Sequence, residues 1–69
     1  MTSSEKVLFN EIAKNLQASY PEVKVEHPYN DGYMVFSVNG TDIGGFNADG
    51  NNFLYCLVEL GKIYEFELR

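Results

Sequence analysis

Four turn signals recur at nearly even spacing through this 69-residue chain, each between runs rich in β-branched and aromatic residues. They are Asn30-Asp31-Gly32, Asn39-Gly40, Asp49-Gly50 and Gly61. Asn-Gly and Asp-Gly readily adopt the positive φ angles that two-residue hairpin turns require. The pattern therefore predicts an antiparallel meander of short strands.

One amphipathic helix precedes these turns. Thr2-x-x-Glu5 matches a capping box, in which each side chain bonds the backbone amide of the other residue. At 100° per residue, one face of this helix collects the apolar residues Leu8, Phe9, Ile12, Ala13, Leu16 and Tyr20. Pro21 disfavours helical geometry at the residue before it, so we expect the helix to end at Tyr20 or just before.

A chain of this length has room for one hydrophobic core, so residues 1–69 are expected to form a single α+β domain. We predict a helix at about 3–20, packed on an antiparallel meander of four to five strands. The strands are expected at about 22–29, 33–38, 41–46, 52–59 and 63–68.

Counting outward from the turns predicts which side chains share a face of the sheet. The Asn39-Gly40 turn pairs Phe36 with Ile43 and Tyr33 with Phe46, and the Asp31-Gly32 turn pairs Val25 with Val38. Directly paired residues point to the same side, and side chains alternate along a strand. The face expected to pack on the helix contains Val23, Val25, His27, Tyr29, Met34, Phe36, Val38, Ile43, Leu54, Cys56 and Val58.

The opposite face of the predicted sheet is unusually aromatic. A sheet with one solvated face normally alternates apolar and polar residues, and the third and fourth predicted strands break that rule. Several large apolar side chains in contact would exceed the few hundred Å² that soluble monomers normally expose. We therefore predict a protein interface at Tyr33, Val35, Phe46, Phe53, Tyr55 and Leu57.

Two segments permit more than one structure. The apolar run 53–58 has no decisive periodicity, so 52–60 also fits a short helix capped by Asn51 or Asn52 and stopped at Gly61. If 63–68 is a strand, its register depends on whether Gly61 forms a bulged or a plain turn. Gly44-Gly45 indicates either a bulge or a close approach of another group.

His27 and Cys56 are the only evident candidates for a base and a nucleophile. The predicted register separates them by three strand spacings, on the order of 14 Å, which excludes a hydrogen-bonded dyad. A single cysteine also excludes an internal disulfide and a cysteine-based zinc cluster. Asn47-x-Asp49-x-Asn51 lacks the glycine and glutamate of a calcium loop. We expect no enzyme activity, cofactor or metal site.

The net charge and the distribution of basic residues limit the classes of partner that the chain is expected to bind. A net charge of −5 disfavours direct binding to nucleic acid. The polar face of the helix lacks the basic residues that membrane-surface helices use, so no membrane is expected as a partner. The N-terminal residues do not resemble a signal peptide, and we expect a cytoplasmic protein.

These observations predict a small acidic, non-enzymatic protein-interaction module: an adaptor, inhibitor or accessory subunit. Its partner would be a second copy, forming a homodimer, or a larger protein. An alternative is a small-ligand carrier whose pocket lies between helix and sheet, with polar contacts from Tyr20, His27 and Tyr29. A further alternative is an acidic decoy that binds a nucleic-acid-binding protein.

Overall fold

Two helices and a three-stranded antiparallel sheet make up the fold. The computed structural model describes residues 1–28 and 32–66. In chain order the elements are α1 (Ser3–Ser19), β1 (Val23–Glu26), β2 (Tyr33–Val38), β3 (Thr41–Asn47) and α2 (Phe53–Phe66). The α+β class and the N-terminal helix are confirmed, whereas the described residues form three strands and not four or five.

Helix α1 begins with the predicted capping box. The Thr2 hydroxyl accepts from the Glu5 amide at 3.2 Å, and the Glu5 carboxylate accepts from the Thr2 amide at 2.7 Å. At the other end, the Tyr20 amide donates to the Leu16 carbonyl at 2.9 Å, and the chain leaves the helix before Pro21. Local sequence therefore accounts for both ends of α1.

Strand β1 pairs with β2 two residues out of the predicted register. Val23 lies opposite Val38 and Val25 opposite Phe36. Because the shift is an even number of residues, each side chain keeps its predicted face. β1 ends at Glu26 and not at residue 29, and the predicted Tyr29 position lies outside the described residues.

The turn between β2 and β3 has the predicted two-residue geometry. Asn39 and Gly40 have φ values of 54° and 80°, and Val38 pairs with Thr41. Two successive positive φ angles are the signature of a type I′ turn, which matches the twist of the flanking strands.

A β-bulge then changes the register of β3. Ser37 pairs with Asp42, but Phe36 pairs with Gly44, so Ile43 is an extra residue in β3. One extra residue moves every later side chain to the other face of the sheet. Phe46 consequently lies opposite Met34, and the predicted Phe46–Tyr33 and Phe36–Ile43 pairs are wrong.

Helix α2 replaces the two last predicted strands, 52–59 and the described part of 63–68. Over residues 53–65 of this helix the buried residues are Cys56, Leu60, Ile63 and Tyr64, a spacing of four, three and one that fits a helix. Asn52 caps it, because the Asn52 side-chain oxygen accepts from the Tyr55 amide at 2.8 Å. The helix alternative was thus right about the cap and wrong about Gly61, which lies inside α2. Asp49-Gly50 belongs to a strand-to-helix connection and not to a hairpin.

Both helices lie on the same face of the sheet and run in the same direction. Lys6 contacts Asp49 near the two N-terminal ends, with 3.9 Å between their charged atoms, and the Tyr20 and Tyr64 rings lie 5.5 Å apart near the C-terminal ends. A Cβ atom on Gly44 would lie 2.9 Å from Ile63 Cγ1, so this glycine permits α2 to approach β3. The core between the layers contains Phe9, Val23, Met34, Phe36, Phe46, Ala48, Cys56, Leu60, Ile63 and Tyr64.

Candidate functional site

The six residues of the predicted sheet interface do not share a surface. Tyr33 and Val35 point to the outer face of the sheet, as expected from their positions in β2. Phe46 is only 4% exposed, and its ring lies 5.9 Å from that of Phe36 in the core. Phe53 and Leu57 lie on α2 and pack against the core.

Two features separate these residues. The bulge at Ile43 turns Phe46 inward, and the helical conformation of 53–66 removes Phe53, Tyr55 and Leu57 from the sheet. The outer sheet face therefore keeps one aromatic residue from the set. The Tyr33 ring lies against Gly45, where an added Cβ would be 3.4 Å from the ring. An aromatic side chain next to a strand glycine covers backbone that the glycine leaves bare.

The exposed apolar residues of α2 form a different surface. Leu54 is 70% exposed, Val58 48% and Tyr55 44%, and they lie within two turns of the helix. Residues three and four apart are neighbours on a helix surface, so these three side chains form one strip. We call Leu54, Tyr55 and Val58 the α2 strip. Leu8, also about half exposed, lies near the N-terminal end of the adjacent α1.

Sequence reasoning missed this strip because it treated the segment as a strand. Strand alternation assigned Leu54 and Val58 to the helix-facing core, and both are exposed. A helical period applied to the same residues separates buried Cys56 and Leu60 from exposed Leu54 and Val58. The signal was therefore present in the sequence, but it required the correct secondary structure.

The α2 strip lies in the longest uncharged part of the C-terminal half. Residues 50–58 contain no Asp, Glu, Lys or Arg, although the chain carries a net charge of −5. Charge returns one residue later at Glu59, which pairs with Lys62 at 3.5 Å. The strip is therefore an apolar surface on an otherwise acidic protein.

His27 and Cys56 lie on different parts of the fold. His27 follows β1 and is exposed, so it is not part of the packed, helix-facing side of the sheet as expected. Cys56 is fully buried on α2, and its thiol donates to the Ala48 carbonyl at 3.7 Å. Burial raises the pKa of the Cys56 thiol, an effect that the N-terminal ammonium partly offsets and Asp49 reinforces. This cysteine is a small core residue, as the sequence predicted.

A groove lies between α1 and the sheet on the side of β1, with a volume of about 420 Å³. Its buried surface comes from Phe9, Met34, Phe36 and Ala48, and its polar rim from α1, from the residue after β1 and from the segment after β3. The lining residues at the rim are Lys6, Asn10, Lys14, Gln17, His27 and Asp49. Of the three residues expected to provide polar contacts here, His27 lines the groove, Tyr20 does not, and Tyr29 lies outside the described residues.

The Tyr64 hydroxyl is a buried polar group that has no hydrogen-bond partner among residues 1–28 and 32–66. Its ring contacts Phe36 edge-on, with 6.0 Å between centroids. Burial raises the pKa of the Tyr64 phenol, and the nearby Glu22 carboxylate raises it further. Sequence reasoning did not identify this buried hydroxyl, because Tyr64 was expected in a strand whose register depended on the turn at Gly61.

Over residues 1–28 and 32–66, no cluster of three or more His, Cys, Asp or Glu side chains is arranged to hold a metal ion. Neither helix of that described part is long and apolar enough to cross a membrane. No protein-family model, curated protein or solved structure is significantly similar to this chain.

Proposed function

We propose that this protein is a small, acidic, non-enzymatic interaction module that self-associates through the α2 strip. The observation that carries the proposal is the exposure of Leu54, Tyr55 and Val58 on neighbouring turns of one helix. Exposed apolar side chains that adjoin one another mark interaction surfaces, and Tyr55 is of a residue type that is enriched among interface anchors. We thus keep the homodimer as a proposal, with its interface on α2 and not on the sheet face.

The charge distribution indicates where a second copy could bind. Two molecules that each carry a charge of −5 repel one another, so they associate best where neither presents charge. Residues 50–58 are such a place. The same patch on both molecules forms a two-fold symmetric contact, the commonest arrangement in soluble oligomers.

The size of the strip predicts a weak dimer. The three side chains of the strip on each copy bury less than the ~1,200 Å² in total that marks the lower end of stable interfaces. We therefore expect weak self-association that depends strongly on protein concentration.

Analytical ultracentrifugation of a matched pair of variants tests the proposal. Leu54→Glu places a charge in the strip and should raise the dimer dissociation constant at least tenfold. Val7→Glu makes the same change at another exposed apolar position, 64% exposed on α1, and should leave the constant unchanged. A wild-type protein that stays monomeric at millimolar concentration, or equal effects of the two variants, would contradict the proposal.

The groove beside α1 supports a second candidate function, the carrier of a small ligand. Its volume of about 420 Å³ is within the range of small-molecule sites, roughly 300–1,000 Å³. Native mass spectrometry would detect a compound that copurifies with the monomer. The third candidate, an acidic decoy for a nucleic-acid-binding protein, depends on the net charge alone.

A further inference from the structure

We propose that the groove beside α1 binds an extended peptide segment carrying an acidic side chain, which adds to the sheet as a strand next to β1. This site is separate from the α2 strip, and the inference does not depend on self-association. Its support comes from the free edge of β1, the shape of the groove and the charge of its rim.

The free edge of β1 comes first. The strand order is β1-β2-β3, so within the described part of the chain β1 pairs with a strand on one side only. The Val23 amide donates to the Tyr20 carbonyl at 3.1 Å, which means that it points away from β2. Backbone groups alternate between the two sides of a strand in an antiparallel ladder, so the amide and carbonyl of Val25 also point outward. Neither has a backbone partner among the described residues.

The groove extends over the strand that forms this edge. Val25 lines it, and buried Phe9, Met34 and Phe36 form apolar surface further in. A strand added to β1 would point alternate side chains toward that apolar surface, on the same side as Val25. In such complexes the backbone hydrogen bonds contribute affinity and the alternate side chains contribute specificity.

The rim of the groove favours an acidic ligand. Lys6 and Lys14 both line it, and His27 adds a further hydrogen-bonding group. Asp49 lies on the same rim and takes up part of the Lys6 charge, with 3.9 Å between the charged atoms. Lys14 has no ion pair within the described part of the chain. On a protein of net charge −5, this local positive charge is complementary to a carboxylate.

The length of β1 limits the ligand. Pro21 and Pro28 flank the strand, and proline cannot donate to a ladder. The paired segment is therefore Val23–Glu26, or about 13 Å of extended chain. We expect a core motif of four to five residues, with one Asp or Glu and apolar residues at alternate positions.

Selection from a phage-displayed library of random heptapeptides, with the full-length protein as bait, tests this inference. Displayed peptides are fused through their C-terminal end, so a carboxylate must come from a side chain. The enriched peptides should share the acidic and alternating apolar pattern. A synthetic peptide of the enriched sequence should bind Lys14→Glu at least tenfold more weakly than wild type. Lys62→Glu, the same charge reversal at an exposed position of α2, should leave the affinity for this peptide unchanged.

Two further measurements separate strand addition from simple filling of the groove. Methylation of the peptide amide that faces Val25 should abolish binding, and binding should slow hydrogen exchange at the Val25 amide. No enrichment over an empty support, or enrichment of basic peptides, would overturn the inference. So would binding that Leu54→Glu weakens and Lys14→Glu does not, or binding that survives methylation of each amide in turn.

Discussion

Tyr64 brings a polar group into the hydrophobic core. Its hydroxyl is buried and finds no hydrogen-bond partner in the described part of the chain, although its ring packs against Phe36 and Tyr20. Leaving a buried polar group unpaired costs about 1–3 kcal/mol. Tyr64→Phe removes the hydroxyl and keeps the ring, so it should raise the free energy of unfolding by about 1 kcal/mol in urea denaturation. A loss of stability in this variant would mean that the hydroxyl is bonded in solution.

The same residue predicts how stability depends on pH. Burial, assisted by Glu22, raises the pKa of the Tyr64 phenol, so the folded protein holds this proton more tightly than the unfolded chain does. This tighter proton binding stabilises the folded state. The stabilisation is fully present below about pH 10, the usual tyrosine pKa, and is lost as pH rises through the folded-state pKa. Tyr64→Phe should therefore lose less stability above pH 10 than wild type. Parallel alkaline melting curves for the two proteins would contradict this assignment.

At the scale of single elements, two exposed glycines should respond in opposite ways to a side chain. Gly61 lies inside α2 with no atom within 4 Å of an added Cβ. A glycine in a helix interior is destabilising by roughly 0.5–1 kcal/mol relative to alanine. Gly61→Ala should raise the free energy of unfolding by that amount and increase the melting temperature by a few degrees. If it lowered stability, α2 would end before Gly61.

Gly40 is the opposite case. An added Cβ would also meet nothing within 4 Å, but φ is 80°, in the left-handed region. A β-branched residue resists that region, so Gly40→Val should destabilise by about 1–2 kcal/mol or more, measured by thermal melting. Gly40→Asn, whose side chain tolerates positive φ, is the control and should cost much less. An unchanged melting temperature for Gly40→Val would refute the type I′ turn.

The features that were predicted correctly are those that short sequence motifs specify. The capping box of Thr2 and Glu5 begins α1, Pro21 ends it, and Asn39-Gly40 forms the turn between β2 and β3. The bulge at Ile43 has no comparable local signal, apart from the ambiguous Gly44-Gly45 pair. Helix α2 was weighed only as an alternative. Phe, Tyr, Cys and Val favour strands, and it is burial against the sheet that stabilises the helix.

At the scale of the whole molecule, one extra residue in β3 changed the predicted surface. The α+β class and the helix-facing side of β1 and β2 could be predicted, because an even register shift preserves faces. The interface could not be predicted, because the bulge buries Phe46 and because Phe53, Tyr55 and Leu57 lie on α2 and not in the sheet. A surface composed of residues from several elements depends on every register being correct.

The two proposed binding surfaces lie on different elements and should act independently. The α2 strip is on α2, whereas the groove lies between α1 and the edge of β1. Substitutions at sites that share no partners usually have additive effects. We therefore expect Leu54→Glu to weaken self-association without changing peptide binding, and Lys14→Glu to do the reverse.

Self-association through the α2 strip is tested most directly by isotope-filtered NOE spectroscopy. In a 1:1 mixture of labelled and unlabelled protein at millimolar concentration, the filter retains only contacts between two molecules. We predict intermolecular NOEs among the Leu54 and Val58 methyl groups and the Tyr55 ring. Intermolecular NOEs to Tyr33 and Val35 on the outer sheet face, or none at all, would contradict the account.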